Sequence, residues 1–439
     1  MDAYKIKGQV NLKGNITPQG AKNEALQVLA AVLLTDDTVI INNLPDILDV
    51  NRQIELLEYL GVTCNKLSAN AWSFNAANVQ TSHLESESYR NKAMAIRGSV
   101  MLLGPMLARF GKGLVPKPGG DKIGRRKIDT HLLGLMKLGA KFEYDSHTKN
   151  YKVIGENLIG ADMLLEEASV TGTANIIMAA VLATGKTTIY NAACEPYIQQ
   201  LCKMLNNMGA KIMGISTNFI SIEGVNSLSG TEHTCLPDMI EIGSFIGLAA
   251  MTRSELTIKD CRPDALGIIP EVFKKLGIQM DVSANDIYIP AQEHFEIDTH
   301  IDGSILTLSD APWPGFTPDL LSIALVCATQ ARGNVLIHQK MFESRLFFTD
   351  NLIDMGAQII LCDPHRATIM GIDWKYSLRG ISMRSPDIRA GVALLIAALS
   401  AKGDSTIHNI QQIDRGYERI EERLNSLGAE IERIDISAS

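Results

Sequence analysis

VALLIAALSAKGDSTIHNI at residues 392–410, with RIEERLNSLGAEI at 419–431, holds the unit from which the whole chain is built. The first segment is apolar over a helical length, breaks at Lys402-Gly403 and resumes as a β-branched strand. The second is amphipathic and stops at Leu427-Gly428 before another strand. A hydrophobic residue, a glycine and then a small or branched residue mark a helix that ends in a left-handed position. The same ending recurs in LEYLGVTC, LMKLGAKF, LNNMGAKI, FKKLGIQM and LIDMGAQI, at Gly61, Gly139, Gly209, Gly277 and Gly356. With Gly428, these glycines are 78, 70, 68, 79 and 72 residues apart, close to 439/6 ≈ 73. The chain therefore reads as six copies of one α/β unit.

Each copy opens with an apolar segment, as in ALQVLAAVLLTDDTVIINNL at 25–44 and NIIMAAVLATGKTTIYNA at 175–192. Such a helix is apolar nearly all round and belongs in a core, whereas the second helix of each copy keeps a charged face for solvent. Six buried helices fit two three-fold cores better than one. Length agrees, since 439 residues exceed what one core supports. Apolar types at 46% and charged types at 21% are those of a soluble globular chain.

Net charge is 41 − 49 = −8, which argues against broad binding to nucleic acid or an anionic membrane. The charged, glycine-containing start MDAYKIKGQVNLKG lacks the apolar run of a signal peptide, so a cytoplasmic protein is expected. VALLIAALSA is only half a bilayer span and reads as a buried helix. Seven scattered cysteines with no C-x-x-C pair signal neither a disulfide framework nor a zinc site, and most are expected to be core thiols.

The starts of the buried helices are where chemistry concentrates. Three copies begin with Pro237-Asp238, Pro318-Asp319 and Pro386-Asp387, suited to the first turn and the helix dipole. Simple capping accounts for Asp238 with Glu241 as well as function does. Lys22-Asn23, Arg97 and Ser169-Val170-Thr171-Gly172 begin the other three. A cation at the positive end of a helix is locally unfavourable, so Lys22 and Arg97 point to a bound anion. Arg126 and Arg415 each lie 13 residues before their repeat glycine, and Arg345 lies 11 before its own. These arginines suit a multiply charged carboxylate or phosphate ligand, while Arg125, Arg423 and Arg433 read as solvated surface residues. KPGGDKIGRRK at 117–127 carries five basic residues and one acid without periodicity, as a lid closing over an anion would. It is not a phosphate-binding P-loop.

QGAKN at 19–23, RGSVMLLGPMLARFG from Arg97, PGGDKIGRR at 118–126, SPDIRA at 385–390 and IDRGYERI at 413–420 together resemble the enolpyruvyl transferases over essentially the whole chain. The resemblance implies a two-domain inside-out α/β barrel, three repeats per domain, with buried helix starts aimed at the cleft between domains. It places 22–236, with a lid at 115–127, in one domain and 1–21 with 237–439 in the other. It implies transfer of the enolpyruvyl group of phosphoenolpyruvate to the 3′-hydroxyl of UDP-N-acetylglucosamine through a tetrahedral intermediate. No metal or organic cofactor and no obligate protein partner are implied. Lys22, Arg126 and Arg415 would hold phosphoenolpyruvate, with Arg97, Arg345 and Arg389 nearby. Asp319 would orient or deprotonate the sugar hydroxyl, and Asn23 would bind the amino sugar. Asp129, Ser169, Val170 and Thr171 fall where the family binds uridine diphosphate, and Met341, Glu343 and Asp387 match further cleft residues. Glu167 departs from the lysine of some members.

The family's lid cysteine is Asp121 here, a variant known within the family. Three other readings share parts of this pattern: a sister transferase acting on shikimate 3-phosphate, an RNA-processing protein of the related cyclase type, and an inactive paralogue. The lid aspartate and SVTG favour the nucleotide sugar, and the charge balance disfavours RNA. Because Asp121 offers no sulfur nucleophile, fosfomycin, which alkylates the lid thiol, is expected to leave the intact mass of this protein unchanged. Stoichiometric addition would show that reasoning wrong. The carboxyl is also expected to give the pH–rate profile an acid limb that Asp121→Cys moves.

Overall fold

A computed structural model describes residues 2–117, 127–342 and 345–435. The chain forms two compact units, a first of residues 20–117 with 127–236 and a second of residues 2–19 with 237–435.

All six repeat glycines follow the second helix of their copy, with φ between 87° and 107°. The same pair of backbone bonds closes each helix. Gly61 N donates to Glu58 O and Val62 N to Leu57 O, and the pattern repeats through Gly428 N to Asn425 O and Ala429 N to Leu424 O. Glycine is used because this backbone conformation strains any residue with a Cβ.

In the second unit the helices Met239–Met251, Leu321–Gln330 and Ile388–Ser400 pack pairwise against one another. Every residue of all three is buried, as their all-round apolar sequence requires. Three four-stranded sheets accompany them. The N-terminal strand Asp2–Lys7 lies antiparallel between Asp404–His408 and Ile431–Asp435, so the start of the chain completes its last sheet. Lys13–Ile16 pairs in parallel with Glu255–Ile258.

In the first unit Lys22–Ala31 and Leu103–Phe110 both pack on Val170–Ala180. The buried helix of the second copy differs from expectation: it opens as a 3-10 turn, Arg97–Leu102, before Leu103–Phe110. Pro105 lacks an N–H for the preceding turn, and Gly104 lies so close to the Asn175 carbonyl that a Cβ would sit 2.3 Å from it. Gly104 N instead donates to Asn175 Oδ1 at 2.7 Å. Glu232–Thr234 pairs in parallel with Thr38–Asn42, mirroring the use of Lys13–Ile16 in the other unit. Both strands lead directly into the buried helix of the opposite unit.

The division falls after Gln19, two residues before the sequence-based boundary at 21/22. Gln19 N donates to Glu241 and its side chain spans Gly416 O and Glu418 N, all in the second unit. Gly20 lies against the Asn43 carbonyl and Ala21 N donates to Leu236 O, both in the first. The expected lid is described only at 115–117 and 127; its centre, with Asp121 and Arg126, lies outside the described residues. Among the described residues no single helix is long and apolar enough to cross a membrane. Five of the seven cysteines are buried, Cys64 is partly covered and Cys362 is exposed.

Gly209→Ala is expected to lower stability by about 1–2 kcal/mol, since φ is +105° and nothing lies within 4 Å of an added Cβ. Gly277→Ala should cost more, because its Cβ would meet Glu296 backbone atoms at 2.4 Å. Urea midpoints for the two variants check both the penalty and its order.

Candidate active site

In the second unit the three Pro-Asp starts have separate duties. Asp238 and Asp387 cap their helices: Asp238 accepts from Ile240 N at 2.8 Å, and Asp387 from Arg389 N at 2.8 Å and Ala390 N at 3.0 Å. Asp319 instead lies between two arginines. Its Oδ1 accepts from Arg345 at 2.6 Å and its Oδ2 from Arg389 Nε at 3.1 Å. Burial alone would raise the Asp319 pKa, but the charges and hydrogen bonds of Arg345 and Arg389 outweigh it and hold the carboxyl well below the usual range. It is therefore an ionised acceptor and, with both cations in place, a weak base.

The two arginines are not exhausted by Asp319. Arg389 NH1 and Arg345 Nε are buried and have no hydrogen-bond partner among the described residues. Arg389 is 5% exposed, and its guanidinium lies 5.6 Å from the centre of the Tyr417 ring. Unsatisfied donors on cations this buried suit an anionic ligand. Arg415 is also buried and donates to Gln412 Oε1 at 2.9 Å. The neighbouring 339–341 turn is fixed by Asp310, a residue the sequence did not single out. Its carboxylate accepts from Gln339 Nε2, Lys340 N and Met341 N. Met341 is exposed, and Glu343 lies outside the described residues.

Arg423 and Arg433 correct the surface reading. Arg423 donates to the fully buried Glu241 at 2.6 and 3.1 Å and to Thr17 O at 2.7 Å. Arg433 bridges Asp414, Glu421 and the Tyr4 hydroxyl. Glu241 thus closes no capping box with Asp238, because its carboxylate is taken by Arg423 and by Gln19 N.

In the first unit Lys22 is the first residue of its helix and is 6% exposed, with Nζ 2.7 Å from Asp49 Oδ2. The ion pair answers the unfavourable dipole, which sequence alone could not show because Asp49 belongs to the next helix, Leu48–Tyr59. Asn23 follows on the same turn, and Arg97 begins the 3-10 segment. Asp129 is exposed at the start of Asp129–Lys137. Ser169 caps Val170–Ala180 by accepting from Gly172 N, and Glu167 accepts from Thr130.

Two unforeseen residues support Thr171. Asn175 gives one amide proton to Val100 O at 2.8 Å and the other to His131 Nδ1 at 2.6 Å. His131 then carries its proton on Nε2 and donates to Thr171 Oγ1 at 3.0 Å, leaving the hydroxyl proton of Thr171 available to a ligand. Burial first, and then the charge of Arg97, lower the His131 pKa to about 3, so it stays neutral.

The family model for EPSP synthase (3-phosphoshikimate 1-carboxyvinyltransferase) matches residues 6–424. UDP-N-acetylglucosamine 1-carboxyvinyltransferase of Bacteroides fragilis is 63% identical over 434 residues, covering 99% of this chain and all of the relative. The protein of the same name from Treponema denticola is 49% identical, covering 98% of this chain and 99% of its own. Among solved structures, the enolpyruvyl transferase NikO of Streptomyces tendae superposes with a TM-score of 0.86 at 20% identity, covering 99% of each chain. EPSP synthase of Acinetobacter baumannii gives 0.73 at 17%, covering 99% of this chain and all of that one. These two show a shared fold, the two-domain inside-out α/β barrel. With six glycine-ended repeats and cations at buried helix starts, the chain belongs to the enolpyruvyl transferase family, within its UDP-N-acetylglucosamine 1-carboxyvinyltransferase group.

Proposed function

We propose that this protein transfers the enolpyruvyl group of phosphoenolpyruvate to the 3′-hydroxyl of UDP-N-acetylglucosamine and releases phosphate, the first committed step of peptidoglycan precursor synthesis. The observation that carries this reading is 63% identity along the full length to relatives of that name. It also separates the reading from the shikimate 3-phosphate alternative, for which the matching family model is named.

The reaction is an addition followed by an elimination. The sugar oxygen bonds to C2 of the enol while C3 takes a proton, and the tetrahedral adduct then loses phosphate as C3 gives a proton back. Charge is the main obstacle, and preorganised cations are the remedy. We assign Lys22, Arg126 and Arg415 to phosphoenolpyruvate, with Arg97, Arg345 and Arg389 sharing its charge. Asn23 is assigned to the amino sugar, and Asp129, Ser169, Val170 and Thr171 to the uridine diphosphate. Met341, Glu343 and Asp387 are assigned to shaping the sugar site, and Asp121 to supplying a proton.

Asp319 is assigned to the 3′-hydroxyl, and its arginine pair explains how a weak base becomes useful. An anion arriving on the open donors of Arg345 and Arg389 shares their charge, which raises the pKa of Asp319 towards a range where it accepts a proton. The base is thereby switched on by the substrate it serves. We place the enzyme in the cytoplasm, acting on small molecules without nucleic acid, membrane or obligate protein partner.

Phosphate release should depend on phosphoenolpyruvate together with UDP-N-acetylglucosamine. Turnover with shikimate 3-phosphate instead, or with neither acceptor, would overturn the reading. Lys22→Ala and Arg415→Ala should each lower kcat/KM by roughly 100- to 1,000-fold with the fold intact by circular dichroism. Asp319→Asn removes the counter-charge of two buried arginines and should cost about 3–5 kcal/mol of stability as well as activity. Because the folded pKa of Asp319 is depressed, its contribution is present above the unfolded value, about 3.9, and is lost only as pH falls through the folded one. The Tm gap between wild type and Asp319→Asn should hold from neutral pH down to the unfolded value and narrow only in stronger acid.

A further inference from the structure

Two residues beyond Lys22, on the same turn, Glu24 is fully buried in the helix Lys22–Ala31. A carboxylate in that position needs partners, and it has them from the strand Glu232–Thr234 and the residues just past it. Glu24 Oε1 is 2.8 Å from His233 Nε2, and Oε2 accepts from Leu236 N at 3.1 Å. Strand alternation puts His233 and Cys235 on one face, with Glu232 and Thr234 turned to solvent. The Cys235 thiol joins the pair, so that one oxygen, one nitrogen and one sulfur lie within 4.8 Å of one another. All three residues are buried: 0% exposed for Glu24, 7% for His233 and 2% for Cys235. The proposed reaction uses none of them.

We propose that Glu24, His233 and Cys235 form a binding site for a thiophilic divalent cation of the zinc class. A carboxylate oxygen, an imidazole nitrogen and a thiolate are the three donor types that borderline-soft ions select, whereas magnesium and calcium select oxygen alone. The surroundings favour the ion. Leu236 N holds the second oxygen of Glu24 and so turns the first towards the cluster, as outer partners of metal ligands do. Binding replaces the hydrogen bond between Glu24 and His233: the imidazole proton moves to Nδ1, Nε2 becomes a donor to the metal, and the thiol releases its proton to solvent. The cation has to displace the thiol proton to bind the sulfur.

The position gives the site a consequence. Ala21 N donates to Leu236 O, so the strand end and the helix start are already joined beside Lys22. A metal bridging Glu24 to His233 and Cys235 cross-links the same two elements through side chains. It would fix the turn carrying Lys22 and Asn23 and stabilise the fold without touching substrate.

The test uses cobalt(II) as a spectroscopic probe on the full-length protein, without substrates. One equivalent should give a thiolate-to-cobalt charge-transfer band in the near ultraviolet, and Zn²⁺ should displace it and raise Tm. Cys235→Ser should abolish the band, Cys362→Ser should leave it unchanged, and His233→Gln or Glu24→Gln should weaken Zn²⁺ binding by more than about 10-fold in competition with a chromophoric chelator. Absence of the band in the wild-type protein, or its survival in Cys235→Ser, overturns the site. Neither result depends on turnover, so the outcome is separate from that of the proposed function.

Discussion

A helix that is apolar around its whole circumference can be satisfied only by being covered on every side, and this chain has to house several of them. In the second unit three such helices cover one another pairwise, and the sheets take up the faces that remain. This constraint sets where everything else goes. The amphipathic helices and hairpins are left to the outside, and their turns need the left-handed glycines that recur along the sequence.

Burying helices whole also buries their first turns, where backbone N–H groups lack partners inside the helix. The chain answers in two ways. Asp238, Asp387 and Ser169 cap their own helices. Lys22 and Arg389 do the opposite, placing positive charge where the dipole is already positive, and each needs an acid from another element, Asp49 or Asp319. A scaffold alone would have no reason to accept that conflict. Under the proposed function, the open donors on Arg345 and Arg389 are where it is put to use.

Periodicity and helix-end chemistry were readable along the chain because both are local. The six glycine stops, the buried helices and the residues at their starts depend on neighbours within a few positions. Partners distant in sequence were not readable. Arg423 resembles any solvated helix arginine until Glu241, 182 residues away, is seen beside it. Asp310 sits in a short loop with no motif, and its duty appears only when Gln339 to Met341 fold back on it. His131 and Asn175 belong to different repeats, so their relay to Thr171 has no signature in either. The split of the second buried helix was announced by Gly104-Pro105, a local signal that the apolar run concealed. Glu24, His233 and Cys235 are spread over more than 200 residues, too far for any ligand spacing to register.

The strand Asp2–Lys7 lies between Asp404–His408 and Ile431–Asp435 in its sheet. Such an arrangement imposes an order on biogenesis. Residues 20–117 and 127–236 emerge from the ribosome before 237–435 and hold their own three-helix core, whereas the strand Asp2–Lys7, made ahead of them, must wait for two partners made after them. During synthesis the inserted unit can therefore mature while the enclosing one is still open. Until residues 404–435 are made, the strand Asp2–Lys7 has neither sheet partner, and the lysines at positions 5 and 7 are the charges its sequence carries against mispairing.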